Sequence, residues 1–285
     1  VESIRTGSKS LKPESSKNYS VGLVLAPENK YNFTFTVDYW RIEQQDLVGI
    51  FGDANQIALD FVRRMTAGAN DSVLRDAPTQ DDIDFFAGSG LAAAGNIANV
   101  LDPYLNLDSR VTEGIDLGLY FSFDETALGD FDFKFNASKL LTAEQDLSGD
   151  AKEINAFGAE DIRVVGAGDL IEQNDRPKWQ ASGTITWRKG NWGAGLWGKY
   201  TGQVYETGVT QNDTGDYFII EDWFRMNAYV QYTFDGGMLD DTRIRFGVRN
   251  IFDKAPPLAD STFGYLSSLH SSEGRFFYGS IRKSF

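Results

Sequence analysis

Apolar and polar residues alternate along most of this chain with a period of two. Tyr31, Phe33, Phe35, Val37 and Tyr39 interleave with Asn32, Thr34, Thr36, Asp38 and Trp40. A β-strand sends successive side chains to opposite faces, so this run has one apolar and one polar face. The same alternation returns from Ile115 to Phe123, from Phe131 to Ala137, from Trp179 to Trp187, from Met226 to Phe234, from Ile244 to Val248 and from Phe277 to Phe285. With the turn residues between them, these runs predict about nine strands. They are read over 18–26, 31–45, 105–123, 130–143, 177–188, 192–205, 222–234, 243–251 and 275–285.

The charges sort by face. Asp38, Asp116, Asp132, Lys134, Lys178, Lys199, Arg225, Arg243, Arg245 and Arg249 fall on the polar side. Lys283, near the chain end, is an exception on the other side. A soluble β-sandwich alternates too, with its apolar face buried in a core. Connection lengths separate the two readings. Short connections near Pro27–Asn29, Asp124–Gly129, Lys189–Asn191 and Asp235–Asp241 alternate with long ones at 46–104, 144–176, 206–221 and 252–274. Short turns at one end and long loops at the other are the habit of an outer-membrane β-barrel. Aromatics beside the short turns, Tyr31, Phe123, Phe131, Trp187, Trp192 and Phe234, suit an interfacial girdle.

This polarity gives a direction. The first short turn sends the first strand down into the periplasm, and the last strand ends there as well. An odd count then puts the first strand's start outside, whereas complete bacterial barrels have even counts. The expectation is a C-terminal piece of a longer barrel.

Composition narrows the chemistry. Lys plus Arg is 27 against 41 Asp plus Glu, a net charge of −14. So acidic a chain is a poor general ligand for nucleic acid. Cysteine is absent and histidine occurs once, at His270. That excludes thiolate sites, disulfides and His-rich metal sites, and leaves a serine triad a single His. No stretch is apolar enough for a membrane helix, and mean hydropathy is −0.34. No catalytic, cofactor or metal residue is assigned.

The longest loop carries helical spacing at Ile57, Ala58, Phe61, Val62 and Met65, with Gly68 placed to stop it. Thr79-Gln80-Asp81-Asp82 reads as a helix start, and a further helix is expected over 92–100. The loop carboxylates, Asp71, Asp76, Asp81, Asp82 and Asp84, then Glu144, Asp146, Asp150, Glu153, Glu160 and Asp161, form no EF-hand pattern. They read as solvated charge.

Gly193–Gly198 spells G-x-G-x-x-G but lies inside an alternating strand, so small residues on a strand explain it better than a nucleotide site. Asp116 and Asp132 are a carboxylate pair of the kind that serves glycoside hydrolysis, but Lys134 offers ordinary pairing. His270, read as an exposed residue of the last long loop, and Trp197, Tyr205 and Tyr229 on the polar face are the candidates for touching a ligand. Packing is the alternative role for each of the three aromatics.

Several segments together resemble the C-terminal barrel of TonB-dependent outer-membrane receptors. Leu11-Lys12-Pro13-Glu14 before a strand, Val37-Asp38-Tyr39-Trp40-Arg41-Ile42, Asn250-Ile251-Phe252-Asp253-Lys254-Ala255-Pro256 and the closing Glu273-Gly274-Arg275-Phe276-Phe277 follow the family's order. Phe277, Ile281 and a terminal Phe285 resemble its C-terminal strand signal. The resemblance implies an all-β, antiparallel transmembrane barrel of 22 strands with a plugged lumen, of which this chain supplies about nine. It implies a bacterial outer-membrane location among lipid and lipopolysaccharide. It also implies no enzyme activity, and TonB coupling through an N-terminal plug not in this sequence. Asp38, Asp116, Lys134, Lys199, Arg225, Arg245 and Arg249 would then be lumen charges facing the plug.

The implied activity is import of a scarce small molecule such as a metal chelate, with a siderophore–iron complex as the default. Cobalamin, haem and oligosaccharides stay open. Two other readings also stay open: a small complete barrel (porin, adhesin or structural), and a soluble all-β binding protein or enzyme.

Overall fold

The computed structural model describes residues 2–66, 68–159, 162–210, 216–261 and 263–284. Phe285, Glu160 and Asp161 lie outside the described residues. Among the described residues nine long strands run in chain order, each hydrogen-bonded to the next. They are β1 (Ser15–Leu25), β2 (Thr34–Gln45), β3 (Arg110–Thr126), β4 (Gly129–Gln145), β5 (Trp179–Lys189), β6 (Trp192–Thr201), β7 (Trp223–Thr233), β8 (Thr242–Arg249) and β9 (Phe276–Lys283). From β4 to β9 every neighbouring pair is antiparallel. The all-β meander expected from the alternation is therefore present, with strands at all nine expected places.

The register fixes which residues share a face. Ile185, Leu196, Ala228, Val248 and Phe277 form one row across β5 to β9. Phe131, Trp187, Ala194, Val230 and Phe246 form the next across β4 to β8. These apolar side chains are open to the surroundings: Leu196 is 41% exposed, Phe246 54% and Ile281 75%. A continuous apolar face this open is unusual for a protein in water and suits a lipid environment. Near the short turns the aromatics cluster edge-on: Trp192 with Tyr232 at 4.9 Å, Tyr232 with Phe234 at 5.0 Å, and Tyr31 with Phe123 at 5.2 Å.

The short turns use the chemistry that tight hairpins need. Between β5 and β6 only Gly190 and Asn191 intervene, and Gly190 has φ +53°. A side chain there would be strained, so glycine at the first turn position keeps Lys189 opposite Trp192.

The chain divides into two compact units. The first contains Val1–Asn18, Ile42–Thr112 and Ala143–Leu170 and so holds most of the two longest connections. Helix α1 (Asp53–Thr66) buries Leu59 and Val62, one helical turn apart, and Phe61 meets Phe157 of α3 (Gly149–Phe157) edge-on at 6.2 Å. Helix α2 (Gln80–Phe86) begins at the expected place: the Thr79 hydroxyl accepts the Asp82 N–H, and Asp82 accepts the Thr79 N–H at 2.8 Å. Those Thr79 bonds, side chain first and backbone second, hold the Asp82 carboxyl below its ordinary value.

Three differences from the sequence reading have physical causes. The helix expected over 92–100 is instead partly a strand, Ile97–Leu101, which pairs in parallel with Glu2–Ile4 and antiparallel with Val73–Arg75. Gly95 passes so close to Asp76 that a Cβ would lie 2.5 Å from its carbonyl oxygen, and the ladder partners are remote in sequence. Helix α3 is not visible as a long apolar stripe, yet Ser148 caps its start and Gly158, at φ +70°, ends it. The sixth strand stops at Thr201, because Val204–Thr210 pairs with Tyr217–Ile220 in a separate hairpin.

Asp60 ties this first unit together. Its carboxylate is fully buried and accepts from the Arg64 Nε at 2.9 Å, from the Arg75 Nε and Nη2 at 3.1 and 2.9 Å, and from the Asn70 N–H at 3.0 Å. Burial pushes the carboxyl up, but the bonds from Asn70, Arg64 and Arg75 together outweigh it and leave the group below its ordinary value. A depressed folded pKa means stability that is present above the unfolded value of about 3.9 and lost as pH falls through the folded one. Asp60→Asn is expected to cost about 2 kcal/mol at neutral pH and to flatten the acid end of the profile. Limited proteolysis of the 46–104 segment across pH checks this, and unchanged protection in the variant would contradict it.

Candidate functional site

The second unit contains Tyr19–Arg41, Glu113–Thr142 and Ile171–Phe285. Its polar face carries the candidate residues. A cavity of about 360 Å³ opens there, lined among others by Thr36, Asp116, Asn136, Ser138, Ser182 and Lys199. The Ser138 hydroxyl donates to Asp116 at 2.6 Å. Lys134 lies 5.6 Å from the Tyr120 ring, whose hydroxyl donates to Asp132 at 3.3 Å. Asp38 is exposed on β2, against Gly22.

The glycines of Gly193–Gly198 have a packing explanation. A Cβ on Gly195 would fall 2.4 Å from the Tyr229 ring, one on Gly193 3.0 Å from the Gln231 amide, and one on Gly198 3.1 Å from the Phe224 ring. Each glycine makes room for a side chain leaning across from β7. The row continues with Gly247, over which the Tyr278 ring lies at 2.4 Å from an added Cβ. The whole motif lies within β6, which runs on as strand to Thr201.

The structure gathers some candidates and separates others. Tyr229 packs over Gly195, with the Arg245 guanidinium 4.1 Å from its centroid. Arg245 also donates to the Gln231 amide oxygen at 3.0 and 2.7 Å. Trp197 is half-buried on the same face, opposite Thr184 and Asn227. Tyr205 lies away from this row in the hairpin, stacked on Tyr217 at 5.4 Å. Phe277 and Ile281 are exposed on the apolar side of β9.

His270 is the main correction. It was expected to be exposed, but it is 6% exposed. Val204, Ile220 and Ala259 form a small core with Phe218, Leu266 and Leu269, and this draws the last long connection onto the hairpin. The His270 backbone N–H donates to the Leu266 carbonyl at 2.9 Å, and the imidazole ring meets Trp223 edge-on at 5.6 Å. Alternation within strands carries no information on how two loops pack, so this burial was not legible.

Below this core, Glu273 receives Arg225, and Arg249 at 3.2 Å. Burial would raise the Glu273 carboxyl, but the bonds from Arg225 and Arg249 bring it below its ordinary value. Asn250 is 1% exposed. Its amide donates to the carbonyls of Lys254 and Glu273, both at 3.0 Å, and accepts the Lys254 N–H at 3.0 Å. Asp253 accepts the Arg275 N–H at 2.7 Å, which is the first cause of its lowered pKa. The Asn-x-Phe-Asp-Lys segment thus clasps both ends of the last long connection. Among the described residues no group of three or more His, Cys, Asp or Glu is placed to hold a metal ion.

The family model for the TonB dependent receptor-like β-barrel matches residues 2–251. The chain belongs to this family of receptors. Among solved structures it is similar to the siderophore receptor PirA from Acinetobacter baumannii, at 14% identity and a TM-score of 0.58, over 99% of this chain and 33% of that one. It is similar to a mutant of the ferric enterobactin receptor PfeA from Pseudomonas aeruginosa, at 14% identity and a TM-score of 0.54, over 96% and 32%. The FrpB iron transporter from Neisseria meningitidis gives 11% identity and a TM-score of 0.50, over 97% and 33%. At these identities the likeness carries the fold. The chain spans about a third of the length of these receptors. Among curated protein sequences nothing matches.

Proposed function

We propose that residues 1–285 form the C-terminal part of the wall of a bacterial outer-membrane receptor. The receptor imports a scarce ligand, by default a siderophore-type iron complex, through TonB-coupled active transport. One observation carries this reading: a single meander separates an open apolar face from a face of arginines, lysines, carboxylates and tyrosines. A wall of that kind stands between lipid and a wet lumen. Lipid and lipopolysaccharide meet the apolar face, and no nucleic acid is involved. Asp38, Asp116, Lys134, Lys199, Arg225, Arg245 and Arg249 line the lumen toward a plug domain, which carries the contact with TonB. The wall performs no covalent chemistry; it offers surfaces whose affinity for ligand changes as the plug moves.

The test is uptake. Cells lacking the gene, and the same cells complemented, are given a panel of radiolabelled iron–siderophore complexes under iron restriction. At least one complex is expected to enter about tenfold more slowly without the gene, and a protonophore is expected to abolish the difference. Equal uptake in both strains, or uptake indifferent to the proton gradient, would overturn the reading.

A further inference from the structure

Register places three donors, Lys199, Thr201 and Arg225, together with Trp223 where β6 and β7 meet the long connections. Lys199 is opposite Arg225, and Thr201 is opposite Trp223. Residues two apart share a face, so all four stand on one patch of the polar side. The segment around His270 closes over them, with its imidazole edge-on to Trp223 and Glu273 engaged by Arg225. Thr201 is fully buried and His270 nearly so. Among the described residues neither imidazole nitrogen has a hydrogen-bond partner, nor has the Thr201 hydroxyl or the Arg225 Nε.

Buried polar atoms are almost always paired, so four orphans on neighbouring residues mark a place built for something. The donor inventory says what. Lys199 brings an ammonium with no ion pair among the described residues, Arg225 an N–H, Thr201 an O–H and His270 an N–H. Arg225 and Arg249 both engage Glu273, and Lys199 stands opposite Arg225 and lines the cavity that Asp116 also borders, so three cations meet two carboxylates. In a chain of net charge −14 this is a local positive excess. A metal cation is repelled there, and a neutral group leaves the charge unanswered. Charge-assisted bonds to an oxyanion satisfy both.

We infer that this niche binds an anionic oxygen group, carboxylate or phosphate in type, belonging to the imported ligand. Only the words "imported ligand" rest on the receptor reading; anion binding itself needs no transport. Burial and then Lys199 hold His270 below the ordinary imidazole value. The charged groups around it are Lys199 on β6, Arg225 on β7, Arg249 on β8 and Glu273 in its own connection, while Glu206 of the hairpin is engaged by the Asp260 N–H at 2.7 Å. An anion beside Lys199 offsets the repulsion and raises the His270 pKa. Binding then takes up a proton and tightens as pH falls.

The native protein, purified in detergent, is titrated calorimetrically with citrate, phosphate and sulfate at about pH 5.5 and about pH 7.5. Sulfate keeps its charge over that range, so its pH dependence reports on the protein. At least one of citrate and phosphate is expected to bind, and sulfate to bind about tenfold more tightly at the lower pH. Lys199→Gln, which breaks no ion pair, is expected to weaken binding about tenfold. His270→Gln is expected to bind with the pH dependence removed, and its missing signal assigns the His270 imidazole resonance that shifts on anion addition. No binding of any of the three anions, affinity unchanged in Lys199→Gln, or pH dependence kept in His270→Gln would each overturn the site. An absence of anion binding in cells that still import iron sinks the niche and leaves the receptor reading standing.

Discussion

Leu196→Arg is expected to cost the folded protein about 2–4 kcal/mol, whereas Thr184→Arg costs less than about 1 kcal/mol. The two positions are a register step apart but point to opposite sides. Leu196 is 41% exposed among Ile185 and Ala228 on the apolar face, and Thr184 faces Trp197 on the polar one. In water, an arginine at so exposed a Leu196 would be nearly free of cost. In lipid it has no partner and no water, so the size of the gap reports what surrounds the apolar face. Urea unfolding in lipid vesicles, followed by the mobility shift between folded and heated forms in electrophoresis, measures both. Equal stability of the two variants would contradict a lipid-facing wall.

Asn250→Ala is expected to remove about 3 kcal/mol and to free the 252–274 connection. The side chain makes three hydrogen bonds, to both backbone groups of Lys254 and to the Glu273 carbonyl, and it is almost wholly buried. Truncation leaves those backbone groups unpaired, at about 1–3 kcal/mol for the set that water cannot reach. Asn250 also stands at φ +49°, a conformation asparagine tolerates better than alanine by about 1 kcal/mol. Asn250→Gly separates the contributions: it relieves the strain but still lacks the side-chain bonds, so it is expected to recover about 1 kcal/mol relative to Asn250→Ala. Unfolding midpoints and protease cleavage within 252–274 check both variants. Wild-type protection in Asn250→Ala would show that the clasp is not what holds this connection.

The wall was legible because its signal is local. Phe131, Phe133 and Phe135 against Asp132 and Lys134 already say which side faces which medium, and β4 follows them. The Asn250 segment was legible as a family pattern, and the structure adds the physical reason in its hydrogen bonds. What escaped depends on partners far away in sequence. Glu2–Ile4 decides that Ile97–Leu101 is a strand, although the alanines before it favour a helix. Val204 leaves the sixth strand because Ile220 offers both a ladder and a core. The burial of His270 follows from Leu266 and Leu269 packing on that hairpin, which no periodicity within a strand encodes. Of the expected ligand contacts, Tyr229 and Trp197 stand on the polar face, and the orphaned donors at Thr201 and Arg225, beside Lys199, emerge only once the register is known.

The most direct test of the account is a cysteine scan along β6 and β7. The 285 residues contain no cysteine, so each variant carries one new label site in this segment. A fluorophore sensitive to its surroundings is attached at Ala194, Leu196, Tyr200, Ala228 and Val230, and in separate variants at Trp197, Lys199, Asn227 and Gln231. The protein is then reconstituted in vesicles with quenchers on the lipid chains or in the water. The first set is expected to be quenched from the lipid and the second from the water, alternating residue by residue. Water quenching throughout would place both faces of the meander in solution and contradict a membrane wall.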